Sequence, residues 1–260
     1  MAESPEKMLM RVQLAEQGER FDEMMEYAKR LVQGYPDYLE KHGKLDLLSV
    51  AFKNAVGERR ASWRVMKNIV VQCTGKDTTD QEDEVKKDEV KKDEAKKDEV
   101  SEVKRELAKE YMDVLDKEIT NICEDLLTLL DKYLLDAASS PDTRVLLLKL
   151  KGDYPRYMAE IQSGEKRTVS VTAATTAYQE AMELAMKELL PTHPHRLGLI
   201  LNISLFYYSI LDSREKACHI GQKGVDSAEA NRDTADKETW KESSRLIQVI
   251  KDNVGSWTSE

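Results

Sequence analysis

Apolar residues recur at intervals of three and four along most of this 260-residue chain, the spacing that places them on one face of an α-helix. The stretch from Lys41 to Gln72 shows the pattern clearly, with Leu45, Leu48 and Phe52 each about one turn apart. Only 11 Gly and 6 Pro interrupt the chain, and no stretch has the alternating Val, Ile and Thr residues typical of strands. The sequence therefore predicts an all-α protein.

The same periodicity predicts nine helices. Two short ones lie within Met8 to Val32, around a turn at Gly18 to Phe21. The others are expected at about Lys41–Gln72, Ser101–Leu135, Asp142–Ser163, Thr168–Leu189, His195–Leu211, Ser213–Ala230 and Asp236–Trp257. Pro141, Gly164 and the segment from Pro191 to Pro194 are expected to fall between helices as breakers.

A charged low-complexity tract from about residue 76 to 101 interrupts the pattern. It repeats Asp-Glu-Val-Lys-Lys, and Asp83, Asp88 and Asp93 each lie four residues before a Lys, which stabilises a helix surface by about 0.2–0.5 kcal/mol per pair. A five-residue period turns about 140° per repeat, so the apolar residues form no stripe that could be buried. We interpret the tract as an insertion in a single 1–260 domain, either a solvated helix or a disordered spacer.

Charge and composition exclude several classes of function. The net charge of -9 argues against a general nucleic-acid or anionic-membrane binder, which needs a basic surface. The first residues lack the apolar core of a signal peptide and no long apolar run could span a membrane, so we expect a cytoplasmic protein. Cys73, Cys123 and Cys218 are far apart in apolar surroundings and are expected to be buried free thiols.

The third predicted helix carries a basic face. Lys53, Arg60 and Arg64 are separated by seven and four residues, which aligns three like charges. A solvated surface and a site for a multiply charged anion, gripped by guanidinium groups, are both compatible with this spacing.

The fifth predicted helix carries a second polar line, made of Lys149, Asp153, Arg156, Tyr157 and Glu160. An Arg followed by a Tyr offers a planar cation and a hydroxyl, a combination that suits phosphate oxygens.

Two asparagines, Asn202 and Asn253, interrupt otherwise apolar stripes and need hydrogen-bond partners if buried. They could either link helices or clamp the backbone of an extended peptide.

His193 and His195 lie in a predicted turn without carboxylate or cysteine at zinc spacing, so no metal or cofactor site is expected. An enzyme is the least favoured class, because no phosphate loop, dinucleotide fingerprint or nucleophile elbow is present.

Five blocks, taken in order, resemble the signature stretches of the 14-3-3 family. They are Leu14-Ala-Glu-Gln-Gly-Glu-Arg20, the segment from Leu47 to Arg64, Lys151-Gly-Asp-Tyr-Pro-Arg-Tyr157, the segment from Pro191 to Asn202, and Lys251-Asp-Asn253. The resemblance implies nine antiparallel helices in an L-shaped subunit with a concave amphipathic groove, paired into a cup-shaped dimer. It also implies a non-catalytic adaptor that binds phosphorylated Ser or Thr segments of client proteins, as a homodimer or as a heterodimer with another 14-3-3 chain.

The resemblance assigns roles residue by residue. It implies that Lys53, Arg60, Arg156 and Tyr157 bind phosphate, and that Asn202 and Asn253 clamp the peptide backbone. The groove wall is Lys149, Leu201, Leu205, Ser209, Arg245, Leu246, Val249 and Trp257. The dimer interface is Leu14, Gly18, Arg20, Ser62, Met66, Ile69, Tyr111 and Glu118, with Arg20 and Glu118 matching an intersubunit ion pair.

Several positions depart from the family pattern. Pro155 replaces a Tyr, and a proline inside a helix costs about 3 kcal/mol or more, so it is expected to displace Arg156. Ser209 replaces a Glu, Arg245 replaces a groove Leu, and Val114 replaces a Lys that would pair with Glu23 across the dimer. The alternative function is therefore a degenerate dimeric scaffold that binds partners without a strict phosphate requirement.

Overall fold

The computed structural model describes residues 3–74 and 89–259, and the side chains of 3–73 and 100–259. Within these ranges the secondary structure is helical, which confirms the predicted all-α fold. The nine helices of 13 residues or more are α1 (Pro5–Gln17), α2 (Phe21–Gly34), α3 (Leu45–Thr74), α4 (Glu89–Leu129), α5 (Pro141–Ile161), α6 (Gly164–Glu188), α7 (Pro194–Ser209), α8 (Arg214–Ala230) and α9 (Lys237–Ser259). The described helices of this length match the predicted number, and shorter helical segments lie at Tyr38–Lys41, Leu130–Leu134, Leu135–Ala137 and Arg232–Thr234. The L-shape, the groove and the dimer stay predictions.

Three helices begin with a capping residue followed by proline. Ser140 accepts a hydrogen bond from the Thr143 amide at 3.3 Å, and Pro141 is the first residue of α5. Ser4 with Pro5 and His193 with Pro194 repeat the arrangement at α1 and α7. Proline suits the first helical position because its fixed φ is helical and its missing N–H would have no intrahelical partner. The prolines expected between α4 and α5 and before α7 therefore start these helices.

Pro155 lies inside α5, yet α5 continues from Pro141 to Ile161. Tyr154, Pro155, Arg156 and Tyr157 are all buried. Burial of this turn stabilises the helical conformation and offsets the unfavourable propensity of proline, since tertiary packing commonly overrides propensity. The helix therefore continues through Pro155 and carries Arg156 into a buried polar network, and its displacement from the family position stays a prediction.

The chain divides into two compact units. The first contains the residues up to Phe52 and those from Cys123 onward, and the second contains Lys53–Ile122. In the first unit α1 packs on α2, α5 packs on α6, and α7, α8 and α9 share an apolar core. That core consists of Leu197, Ile200, Val225, Ala228, Ile247 and Ile250. In the second unit Val56, Trp63, Leu115 and Ile119 are buried.

The charged tract is described only in its second part. Residues 89–101 form the first part of α4, in agreement with the helical interpretation of that part of the tract. Residues 75–88 lie outside the described residues. The three cysteines are free, as expected, but only Cys123 is fully buried, and Cys73 and Cys218 are half-buried.

Candidate functional site

Asp153 is the centre of a buried polar network that joins α5, α6 and α7. Its side chain accepts hydrogen bonds from Lys149 Nζ at 2.8 Å, Tyr178 Oη at 2.6 Å and Asn202 Nδ2 at 2.7 and 2.8 Å. Only 2% of Asp153 is exposed. Burying a carboxylate is costly unless it is paired and hydrogen-bonded, and donors from three helices meet that requirement here.

Arg156 joins the same network through the Tyr178 hydroxyl. Its Nε donates to Tyr178 Oη at 3.1 Å, while Nη2 lies 3.8 Å from Asp153 Oδ1 and the guanidinium stacks 4.6 Å from the centre of the Tyr157 ring. Tyr178 therefore accepts from Arg156 and donates to Asp153. The guanidinium, although buried, is held in one orientation by an aromatic face and two polar neighbours.

The charges of this network do not cancel. Burial raises the pKa of Asp153, but Lys149 and Arg156 together with its hydrogen bonds outweigh burial and hold that pKa below the usual value. Burial opposes the charge of Arg156, yet Tyr178, Tyr157 and Asp153 raise its pKa. Among the side chains of Asp153, Lys149 and Arg156, two cations face one carboxylate, an arrangement that favours an anionic ligand.

Sequence reasoning identified Lys149, Asp153 and Arg156 but missed Tyr178 and Gly152. A Cβ on Gly152 would lie 2.5 Å from Cδ1 and Cε1 of Tyr178, so only glycine lets this ring approach α5 closely enough for its hydroxyl to reach Asp153. The signal in the sequence is a Tyr on the alanine-rich stripe of α6, because a buried hydroxyl requires a hydrogen-bond partner.

The Asn202 amide donates to Asp153 and so links α7 to α5. Such a link between helices was one of the two roles that the sequence allowed for Asn202, the other being a peptide clamp. Asn253 is half-buried on α9.

The basic face of α3 lies in the second unit. Residues 45–74 form one helix, so Lys53, Arg60 and Arg64 share a face as predicted. Lys53 is exposed and Arg60 is half-buried. Beside them, Arg59 Nε binds Glu118 Oε2 at 2.7 Å, so Glu118 has a partner within its own chain.

The predicted groove-wall residues differ in burial. Leu201 and Leu246 pack against the core shared by α7, α8 and α9, whereas Arg245 and Val249 are exposed. Trp257 is buried and stacks on Tyr208 with ring centres 4.6 Å apart. Leu205 is half-buried, and its carbonyl accepts a hydrogen bond from the exposed Ser209 hydroxyl at 2.7 Å.

Two predicted interface residues are strongly exposed apolar side chains, Leu14 on α1 at 61% and Tyr111 on α4 at 62%. Arg20 pairs with Glu23 three residues later in the same chain, with Nε 2.8 Å from Oε2. Ser62 is exposed and donates to the Glu58 carbonyl at 3.1 Å. Single exposed apolar side chains are common on protein surfaces, so the interface assignment stays a prediction.

The fold places Asp142 close to His193 and His195, near which the sequence has no carboxylate at metal-ligand spacing. One ligand atom from each of Asp142, His193 and His195 lies within 4.8 Å of the others, so the three could hold a metal ion. His193 Nδ1, however, accepts the hydrogen bond from the His195 amide that caps α7, at 3.2 Å. Binding a metal through either nitrogen of His193 would end that bond, since an accepting Nδ1 requires a protonated Nε2. The arrangement is accounted for by capping.

Comparison with known proteins gives one consistent result. A family model described as 14-3-3 protein matches residues 11–258. The chain is 41% identical over 255 residues to human 14-3-3 protein beta/alpha, covering 98% of this chain and 92% of that protein. It is 38% identical over 260 residues to 14-3-3-like protein 2 of Caenorhabditis elegans, covering 100% of this chain and 94% of that protein. Among the described residues, no helix combines the length and apolar character needed to cross a membrane.

Proposed function

Because the chain belongs to the 14-3-3 family, we propose that it is a non-catalytic, cytoplasmic adaptor that binds phosphorylated Ser and Thr segments of client proteins. Proteins of this family bind phosphorylated clients and dimerise. We propose phosphate-binding roles for Lys53, Arg60, Arg156 and Tyr157.

The observation that carries the proposal is the arrangement around Arg156. Its guanidinium is buried, is oriented by Tyr178 and the Tyr157 ring, and shares Asp153 with the Lys149 ammonium. A cation fixed before the ligand arrives loses little conformational entropy on binding, which favours affinity. Asp153 serves to position Arg156 and Lys149 rather than to contact an anion.

The peptide-clamp role of Asn202 is compatible with its bond to Asp153. Both amide hydrogen bonds to Asp153 come from Nδ2, and Asp153 fixes that end of the amide. The amide oxygen Oδ1 then has a defined direction and can accept from a peptide N–H. We propose the same clamping role for Asn253.

We also propose a dimer formed through the residues assigned to the interface. Leu14 and Tyr111 supply exposed apolar surface. Arg20 and Glu118 each have an ion-pair partner in their own chain, so an intersubunit pair between them would have to compete with Glu23 and Arg59. Such exposed pairs contribute about 0–1 kcal/mol, so dimer stability should rest on the apolar contacts.

The test is a titration of one Arg-containing peptide, phosphorylated and unphosphorylated, at fixed salt concentration. Charge-assisted hydrogen bonds contribute about 1.5–3 kcal/mol each, so Arg60→Ala should weaken the phosphopeptide roughly tenfold to a hundredfold. Lys104→Ala removes an equal charge at an exposed position of the second unit and should leave affinity unchanged. Equal affinity for the two peptides would contradict the proposal and favour the phosphate-independent scaffold.

A further inference from the structure

A cavity of about 330 Å³ lies between α6, α7 and α8 in the first unit. It is lined by Tyr178, Met182, Ile200, Ile203 and Phe206, together with polar residues at its rim. Asn202 lies two positions after Ile200 on α7, about 200° around the helix, so the cavity is on the other side of α7 from the proposed peptide clamp. Its size falls in the range of small-molecule sites.

The walls of this cavity are held in place by contacts outside it. The Tyr178 hydroxyl is fixed by Asp153 and Arg156, and Arg196 donates to the Leu189 carbonyl at 2.9 Å. On α8, a Cβ at Gly224 would lie 2.7 Å from Ile200 Cγ2, so glycine allows α7 and α8 to meet there without a side chain between them. A ligand would therefore find the space already formed.

The rim is basic. Lys223 and His219 of α8 and Arg196 of α7 line the cavity, and none of its lining residues is Asp or Glu. Lys223 is exposed and Arg196 half-buried, so an anion at the rim could reach both while an apolar body occupied the interior. Apolar walls together with cationic lining residues complement a molecule with an apolar body and a single anionic head.

We propose that this cavity binds a medium-chain fatty acid, with its carboxylate between Lys223 and Arg196 and its chain against Met182, Ile200 and Phe206. The volume of about 330 Å³ lies at the small end of the range of ligand sites, which favours a chain of about ten carbon atoms over a long-chain fatty acid. The flexible thioether of Met182 can adapt to such a chain.

The probe is decanoate, titrated into the full chain by calorimetry below its aggregation concentration. We expect one site per chain and a negative heat-capacity change, the mark of apolar burial. Octanoate, shorter by two methylenes, should bind about tenfold more weakly, because each buried methylene changes affinity roughly threefold to fourfold. Absence of decanoate binding would overturn the proposal.

Two variants test the position of the ligand. Lys223→Glu should weaken decanoate at least tenfold, whereas Lys241→Glu, the same charge change at an exposed position of α9 outside the cavity lining, should leave binding unchanged. Ser227→Phe should abolish binding by filling the space, with thermal unfolding used to verify that the variant folds. Equal effects of the two lysine variants, or undiminished binding by a folded Ser227→Phe protein, would refute the assignment. Lys223 is exposed, so its variant provides the test even where Ser227→Phe does not fold.

Discussion

Gly152→Ala should destabilise the protein although alanine is the better helix former. The added methyl would lie 2.5 Å from two carbons of the Tyr178 ring, whereas ordinary carbon contacts are about 3.5–4.0 Å. The ring must therefore retreat by about 1 Å. A retreat of that size would stretch the 2.6 Å bond from Tyr178 Oη to Asp153 beyond hydrogen-bonding distance.

The magnitude follows from two opposing effects. Loss of the hydrogen bond to the charged Asp153 costs about 1.5–3 kcal/mol. Overpacking of the core by the added methyl group costs about 1–3 kcal/mol more. Against this, replacing Gly by Ala inside a helix stabilises by about 0.8–1 kcal/mol. We expect the free energy of unfolding to fall by about 1.5–5 kcal/mol and phosphopeptide affinity to fall as well, because Tyr178 also orients Arg156.

Urea unfolding of matched variants measures the effect. Gly198→Ala on α7 is the control, because no atom lies within 4 Å of its added Cβ, and it should stabilise by about 0.5–1 kcal/mol. If Gly152→Ala were as stable as Gly198→Ala and bound phosphopeptide with unchanged affinity, the proposed packing of Tyr178 against α5 would be incorrect.

Three further changes test other parts of the molecule. Asp153→Asn should lower the unfolding free energy by about 3–5 kcal/mol, since it leaves buried cations without their carboxylate. Because the folded-state pKa of Asp153 is depressed, its contribution to stability is present above about pH 4 and is lost as pH falls through that lower pKa. The unfolding free energy of the variant should therefore depend less on pH below about pH 4 than that of the unmodified protein. Ser62→Glu, which approximates phosphorylation within an Arg59-Arg60-Ala61-Ser62 sequence typical of basophilic kinase sites, should weaken dimerisation in sedimentation experiments at low micromolar concentration, and a fully dimeric variant would contradict the assigned interface. Restoring Glu at Ser209 together with Leu at Arg245 should increase the preference for basic flanking residues several-fold in a phosphopeptide library, and unchanged selection would refute that role.

The helices were largely predictable from sequence because their signals are local. Apolar spacing identified α3 and α5, and a capping residue followed by proline marks the starts of α5 and α7 in the sequence itself. Predicted ends differ from the observed ones by a few residues, since helix ends depend on caps and on packing. Sequence alone could not show that the helix continues through Pro155, because the local propensity of proline is unfavourable and the burial of the surrounding turn offsets it.

The sequence by itself determined the helical class, the family resemblance, and the alignment of Lys149, Asp153 and Arg156 on one helix face, because each depends on residues close together in the chain. Only the tertiary structure decided what those side chains contact. Tyr178 comes from another helix, 25 residues after Asp153, and its reach depends on the missing side chain of Gly152. The approach of Asp142 to His193 and the cavity between α6, α7 and α8 likewise arise from helix packing. Spacing within one helix fixes which residues share a face, but partners from distant segments are set by how the helices pack.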